Sequence, residues 1–129
     1  MRRLLLDTHV LLWWLAGDPR IGPRTLRLIR DGKNAVFVSA ASAWEVSIKK
    51  AQGKLTTPRE DLGVAIAEEG FVPLPITVPH GERAGGLPPL HRDPFDRMLV
   101  AQAQEEVLEV VTIDPAISRY GVPTVDAAA

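Results

Sequence analysis

The feature that most constrains this chain is an alternation of short, nearly unbroken apolar runs with longer helical segments. LLL at 4–6, AVFVS at 35–39 and the run VLEVVT within 107–114 are of strand length. A strand with one wet face alternates apolar and polar residues. Runs like these fit a parallel sheet covered on both faces by helices. Residues 8–16, 22–31, 40–52, 59–69 and 94–106 read as those helices, with a further short helix or turn at 77–86. Their ends carry stop and start signals. Asp7 and Ser39 stand where caps belong, Gly17, Gly32, Gly53 and Gly70 stand as stops, and Asp93-Pro94 pairs a cap with a proline at the first helical position. FVPLP at 71–75 fits an edge strand, because Pro73 and Pro75 cannot donate to a ladder. VPTV at 122–125 reads as a last strand. The expected fold is α/β: one domain over 1–129, with a short parallel sheet of four to five strands flanked by helices on both faces.

The N-terminus has the look of a leader, with Arg2 and Arg3 ahead of LLLDTHVLLWWLA. Asp7 and His9 interrupt that run, and it is too short to span a bilayer. A buried strand followed by a helix is the better reading. The chain has no cysteine, which excludes disulfides, thiol nucleophiles and thiolate metal sites and points to a cytoplasmic location. The net charge is −1, but it is unevenly spread. Residues 1–59 hold 11 Lys/Arg against 4 Asp/Glu, and residues 60–129 hold 4 against 12. Such asymmetry fits a polyanionic partner, or two halves that neutralise each other in the fold.

Ligands of open parallel sheets bind beyond the carboxyl ends of the strands. Asp7 ends the first strand, and Asp114 ends the strand VVTI. Asp96 lies in the first turn of the helix that Asp93 opens, and Glu45 sits in the apolar stretch SAASAWEVSI. Two carboxylates about 5 Å apart repel by roughly 3 kcal/mol at an effective dielectric near 20. Four together call for a cation or raised pKa values. An all-oxygen donor set suits Mg²⁺, with Mn²⁺ as the alternative, and such a site supports phosphodiester hydrolysis. Each acid also has a local role open to it. Asp7 and Asp96 suit a helix N-terminus, Asp114-Pro115 opens a turn, and Glu45 can pair with Lys49 at i,i+4.

The segments LLLDTHVLLWWL, VSAASAWEVSIK and HRDPFDRMLVAQA, followed by VVTID and YGV, resemble a PIN domain. More narrowly, they resemble the VapC-type toxins of toxin–antitoxin pairs. The resemblance runs over about residues 3–125, and HRDPFDRMLVAQA is its most specific part. It implies a PIN-like nuclease fold and a Mg²⁺-dependent endoribonuclease. Asp7, Glu45 and Asp96 would be the core metal-binding acids, with Asp114 a fourth that acts more peripherally or through water. Implied partners are an RNA substrate such as tRNA or rRNA, a cognate antitoxin and a second copy of the chain. Other classes fit less well. A two-metal phosphatase reading of Asp7-Thr8-His9 needs further His/Asn ligands. A receiver-type switch lacks a second acid beside Asp7 and a late lysine. A non-catalytic PIN-like module that binds RNA or protein is the remaining alternative.

Other residues could assist. Thr8 and Ser39 could meet phosphate but suit helix starts. Thr112 shares a strand face with Asp114 and could support that acid's position, though β-propensity alone accounts for it. His9 is expected to pack on Trp13 at i+4. His91 could approach RNA, and His80 has no motif context. Arg24, Arg27 and Arg30 form one stripe and Lys49, Lys50 and Lys54 a cluster, and either could hold phosphates. Arg97 is expected near the site or in a surface salt bridge. Trp13, Trp14 and Trp44 could stack bases, or pack in the core or against a partner.

Overall fold

A computed structural model describes residues 1–56 and 61–129. The chain starts at its centre. β1 (Arg3–Leu6) runs straight into α1 (Thr8–Ala16), with Asp7 as the cap between them. Gly17 ends α1 in the left-handed region, at φ 64°, and its N–H and that of Asp18 close on the carbonyls of Trp14 and Trp13. Glycine takes that conformation without a Cβ penalty. α2 (Pro23–Arg30) leads to β2 (Ala35–Ser39), whose last residue caps α3 (Ala40–Ala51). The helix expected over 59–69 is α4 (Leu62–Glu68), capped by Asp61; residues 59 and 60 lie outside the described residues. β3 (Val72–Leu74) and α5 (Val78–Gly86) follow, then α6 (Pro94–Glu106) and β4 (Glu109–Thr112). The turn that Asp114-Pro115 opens contains a single helical turn, α7 (Pro115–Ser118), and the chain closes with β5 (Thr124–Asp126).

All five strands are parallel, in the order β3-β2-β1-β4-β5. β3 is indeed an edge, as its prolines require. The chain builds outward from β1 through β2 to β3, then returns across the sheet to place β4 on the other side of β1. That reversal opens a crevice at the carboxyl ends of β1 and β4, where such folds bind ligands.

The side chains of β1 divide the core in two. Leu4 and Leu6 point to one face, into a cluster with Val10, Leu11, Ile29, Val36 and Ile66. Leu5 points to the other face and meets Leu99, Val100, Val110 and Ile117. Period-two alternation therefore buries β1 on both sides, which explains its unbroken apolar run. Polar groups inside this core are paired. Ser39 Oγ donates to Gln102 Oε1 at 2.5 Å, and Thr8 Oγ1 donates to Ser42 Oγ at 3.0 Å. His80 is a buried member of a capping box at the start of α5 and contacts Glu106 at 2.8 Å. This occupation removes the histidine that a two-metal phosphatase site would need.

Candidate metal centre

Each candidate acid is placed by a local rule. Asp7 caps α1: its Oδ1 accepts from the Val10 N–H at 2.9 Å, and its Oδ2 accepts from Thr112 Oγ1 at 2.5 Å. It is only 4% exposed, and burial, its largest influence, pushes its carboxyl up. The Asp114 charge pushes the same way, while the hydrogen bonds from Thr112 and Val10 oppose the rise. Asp114 caps α7, with Oδ1 accepting from the Ala116 N–H at 2.9 Å. Its own N–H donates to Thr112 Oγ1 at 3.0 Å. One hydroxyl at the end of β4 thus joins both acids: it supports Asp114, one of the two roles open to Thr112 in the sequence, and also holds Asp7, which the sequence did not indicate.

α3 and α6 bring the other two. Glu45 is buried and pairs with Lys49 Nζ at 2.7 Å. Its i,i+4 partner and its place among the acids are therefore both present. Lys49 is raised first by its hydrogen bond to Glu45, then by the Glu45 charge and the fields of Asp93 and Asp96. Asp93 is the α6 cap, accepting from Phe95 and Asp96 N–H at 2.8 and 3.2 Å. Asp96, one turn in, is pushed up to about 7. Burial is the main cause, and the negative charges of Asp93, Asp7 and Glu45 add to it, while charge on His91 would act the other way. Four acids from four separate segments therefore feel one another at one end of the sheet. Like charges held this close favour a bound cation, and the oxygen donors fit Mg²⁺ or Mn²⁺.

The surroundings depart from expectation in several places. His91 does not simply face outward: its Nε2 lies 3.0 Å from Asp96 Oδ2 and 2.9 Å from Asp114 Oδ2. One ligand atom from each of these three residues falls within a 4.8 Å cluster. The sequence signal was present, since His91 stands two residues before the Asp93 cap, but nothing local shows which way the ring turns. Arg97 neither joins the acids nor forms a salt bridge among the described residues. Its guanidinium donates to the carbonyls of Ala84, Leu87 and Pro88 at 2.9, 3.0 and 3.0 Å. His9 is exposed, and it is the Arg20 guanidinium that covers the Trp13 ring, 4.7 Å from its centroid. Ser39 is a cap, accepting from the Ala41 N–H. Arg24 and Arg27 line a hollow with Arg2, which precedes β1, so they lie at the opposite end of the sheet from Asp7. Trp13 and Trp14 pack with the core, but Trp44 is 62% exposed and meets Phe95 edge-on at 5.2 Å. Those two rings flank Glu45 and Asp96 in sequence.

The family model described as the PIN domain matches residues 4–123. The chain belongs to the PIN domain family. Solved structures share this PIN fold. A chain of VapBC2 from Rickettsia felis, in a crystal structure bound to a promoter DNA fragment, aligns with a TM-score of 0.68 at 14% identity, over 96% of this chain and 97% of that one. A chain from a toxin–antitoxin complex of Klebsiella pneumoniae aligns at 0.62 and 22% identity, again over 96% and 97%. One from FitAcB of Neisseria gonorrhoeae aligns at 0.62 and 18%, with the same coverage. No curated protein sequence matches the chain. No helix among the described residues is long and apolar enough to cross a membrane.

Proposed function

We propose that this PIN domain is a divalent-metal-dependent endoribonuclease, the toxin of a VapC-type toxin–antitoxin pair working in the cytoplasm. Asp7, Glu45, Asp96 and Asp114 are its metal-binding acids. The observation that carries this is the gathering of four carboxylates at the crevice, where burial first and the charges of Asp93, Asp7 and Glu45 after it push Asp96 up to about 7. When bound, Mg²⁺ or Mn²⁺ supplies a water nucleophile at neutral pH and stabilises charge on the phosphoryl group. The chain's own groups do the rest. The Val10 N–H and Thr112 hydroxyl hold Asp7 in one orientation, and the Ala116 N–H holds Asp114. Lys49 partly neutralises Glu45. The exposed Trp44 ring, set edge-on against the half-buried Phe95 beside the acids, suits stacking of unpaired bases, which favours RNA with splayed nucleotides such as tRNA or rRNA loops. The likeness to chains of toxin–antitoxin complexes supports a cognate antitoxin as partner, and a homodimer belongs to the same proposal.

The test uses purified chain free of antitoxin. It cleaves an RNA pool in Mg²⁺, and EDTA stops the reaction. Asp96→Asn loses at least about 10²-fold in rate, on the scale of removing one group that stabilises transition-state charge, while it stays folded by circular dichroism. Wild-type rates from Asp96→Asn would reject the assigned site. An uncut pool under every divalent metal would favour a non-catalytic module.

A further inference from the structure

His91 sits between two of the four acids, and its ring has two distinct edges. On one edge, Nδ1 lies 3.1 Å from the backbone N–H of Asp93, which donates to it. A backbone N–H can only donate, so Nδ1 presents a lone pair. A neutral imidazole then carries its proton on Nε2. That N–H faces Asp96 Oδ2 at 3.0 Å and Asp114 Oδ2 at 2.9 Å, a single donor shared by two carboxylates. A proton on both nitrogens would set Nδ1–H against the Asp93 N–H. A metal on Nε2 would move the proton to Nδ1 and create the same clash. His91, Asp96 and Asp114 lie close enough to be taken as a three-ligand site, but the donor at Nδ1 argues against nitrogen ligation.

We propose that His91 is a positioning residue: its Nε2–H gathers the Asp96 and Asp114 carboxylates at the metal centre, and the ring is not itself a ligand. This rests on the reading of those acids as metal ligands. The two acids come from different segments, α6 and the end of β4, and neither helix cap fixes their separation. The shared donor does so from a third segment, the loop between α5 and α6. That loop is itself anchored. Tyr120 Oη accepts from the His91 N–H at 2.8 Å and donates to the Pro88 carbonyl at 2.9 Å. Arg97 holds the Leu87 and Pro88 carbonyls. Groups behind a ligand commonly control metal affinity by 10- to 100-fold.

The experiment takes the purified full chain with Mn²⁺ as the probe, read by calorimetry and by electron spin-echo spectroscopy of the bound ion. The wild type is expected to show no directly coordinated nitrogen. His91→Ala is expected to bind Mn²⁺ about 10- to 100-fold more weakly, and His91→Gln, whose amide still donates, to recover most of that loss. A coordinated-nitrogen signal in the wild type that disappears in His91→Ala would overturn the proposal and make His91 a ligand. Equal Mn²⁺ affinity in wild type and His91→Ala would overturn it too. Should His91→Ala fail to fold, the wild-type spectrum still decides. A wild type that takes up no Mn²⁺ would instead defeat the metal-centre reading, and this proposal with it.

Discussion

The two ends of the sheet handle charge in opposite ways. At the amino end, Arg2 reaches Glu109 through two hydrogen bonds of 3.0 and 2.8 Å, and both partners stay partly in water. This pair joins the basic half of the chain to the acidic half, as mutual neutralisation of the halves requires. Such pairs contribute about 0–1 kcal/mol, because water already solvates each charge and screens their attraction. At the carboxyl end, Asp7 and Glu45 are buried, Asp96 and Asp114 stand close by, and among the described residues Lys49 pairs directly with one of these acids. Negative charge is left in excess where burial limits how well solvent screens it, most of all at Asp7 and Glu45. A stable fold keeps such an imbalance only if many other contacts hold it, and that imbalance is what a cation would relieve.

The largest expected effect comes from the charge-rich end. Asp7→Asn keeps the α1 cap, since Asn caps as well as Asp, and removes one repelling charge. RNA cleavage should fall at least about 10²-fold. The melting temperature of the metal-free protein should change little, since relief of burial and repulsion offsets the lost bond from the Thr112 hydroxyl; wild-type cleavage would remove Asp7 from the metal centre, and the contrast between the ends would collapse. Trp44→Ala removes only the exposed ring. It should weaken single-stranded RNA binding by about 1–3 kcal/mol and leave Mn²⁺ affinity unchanged in calorimetry; unchanged RNA binding would remove Trp44 from the RNA surface.

The pH response sharpens the same contrast. The Asp96 carboxyl ionises near 3.8 when unperturbed but near 7 in the metal-free fold. Its pKa is raised, so the fold binds the proton more tightly than the unfolded chain does. Stability from this group is fully present below about 3.8 and is lost as pH rises to 7. Thermal melts of the metal-free protein between those limits should show that decline, and added Mg²⁺ should offset it at the upper end. Metal must displace the same proton, so Mg²⁺ affinity should drop by up to about tenfold for each pH unit below 7. A pH-independent affinity would show that Asp96 stays ionised and unperturbed. The smallest effect belongs to the amino end. Arg2→Ala should cost no more than about 1 kcal/mol in denaturant melts. Arg24→Ala with Arg27→Ala should leave RNA cleavage unaltered; a clear loss would extend the RNA path across the molecule.

Much of the fold was legible because it is written in neighbouring residues. The run LLL at 4–6 is apolar on both faces because β1 is central, and Asp93-Pro94 starts α6 because cap and proline act within one turn. The run 107–114 does contain a strand, β4, which starts only at Glu109 because Val107 turns the chain out of α6 at φ 57°. The acids were legible as chemistry, from their places at strand ends and helix starts.

What the sequence by itself determined is therefore the set of elements, their caps and the identity of the charged groups, each set by contacts within a few residues. Which groups meet was decided only by the tertiary structure. β4 lies beside β1, 105 residues on from Asp7 to Thr112, and that pairing lets one threonine hydroxyl hold Asp7 and position Asp114. His91 turned to the acids because Tyr120 and Arg97 hold its loop from remote segments, and Trp44 was left exposed because α6 offers it one ring edge rather than a pocket. Periodicity and capping are local energies, but convergence of side chains depends on strand order and on loop anchors that no local pattern specifies.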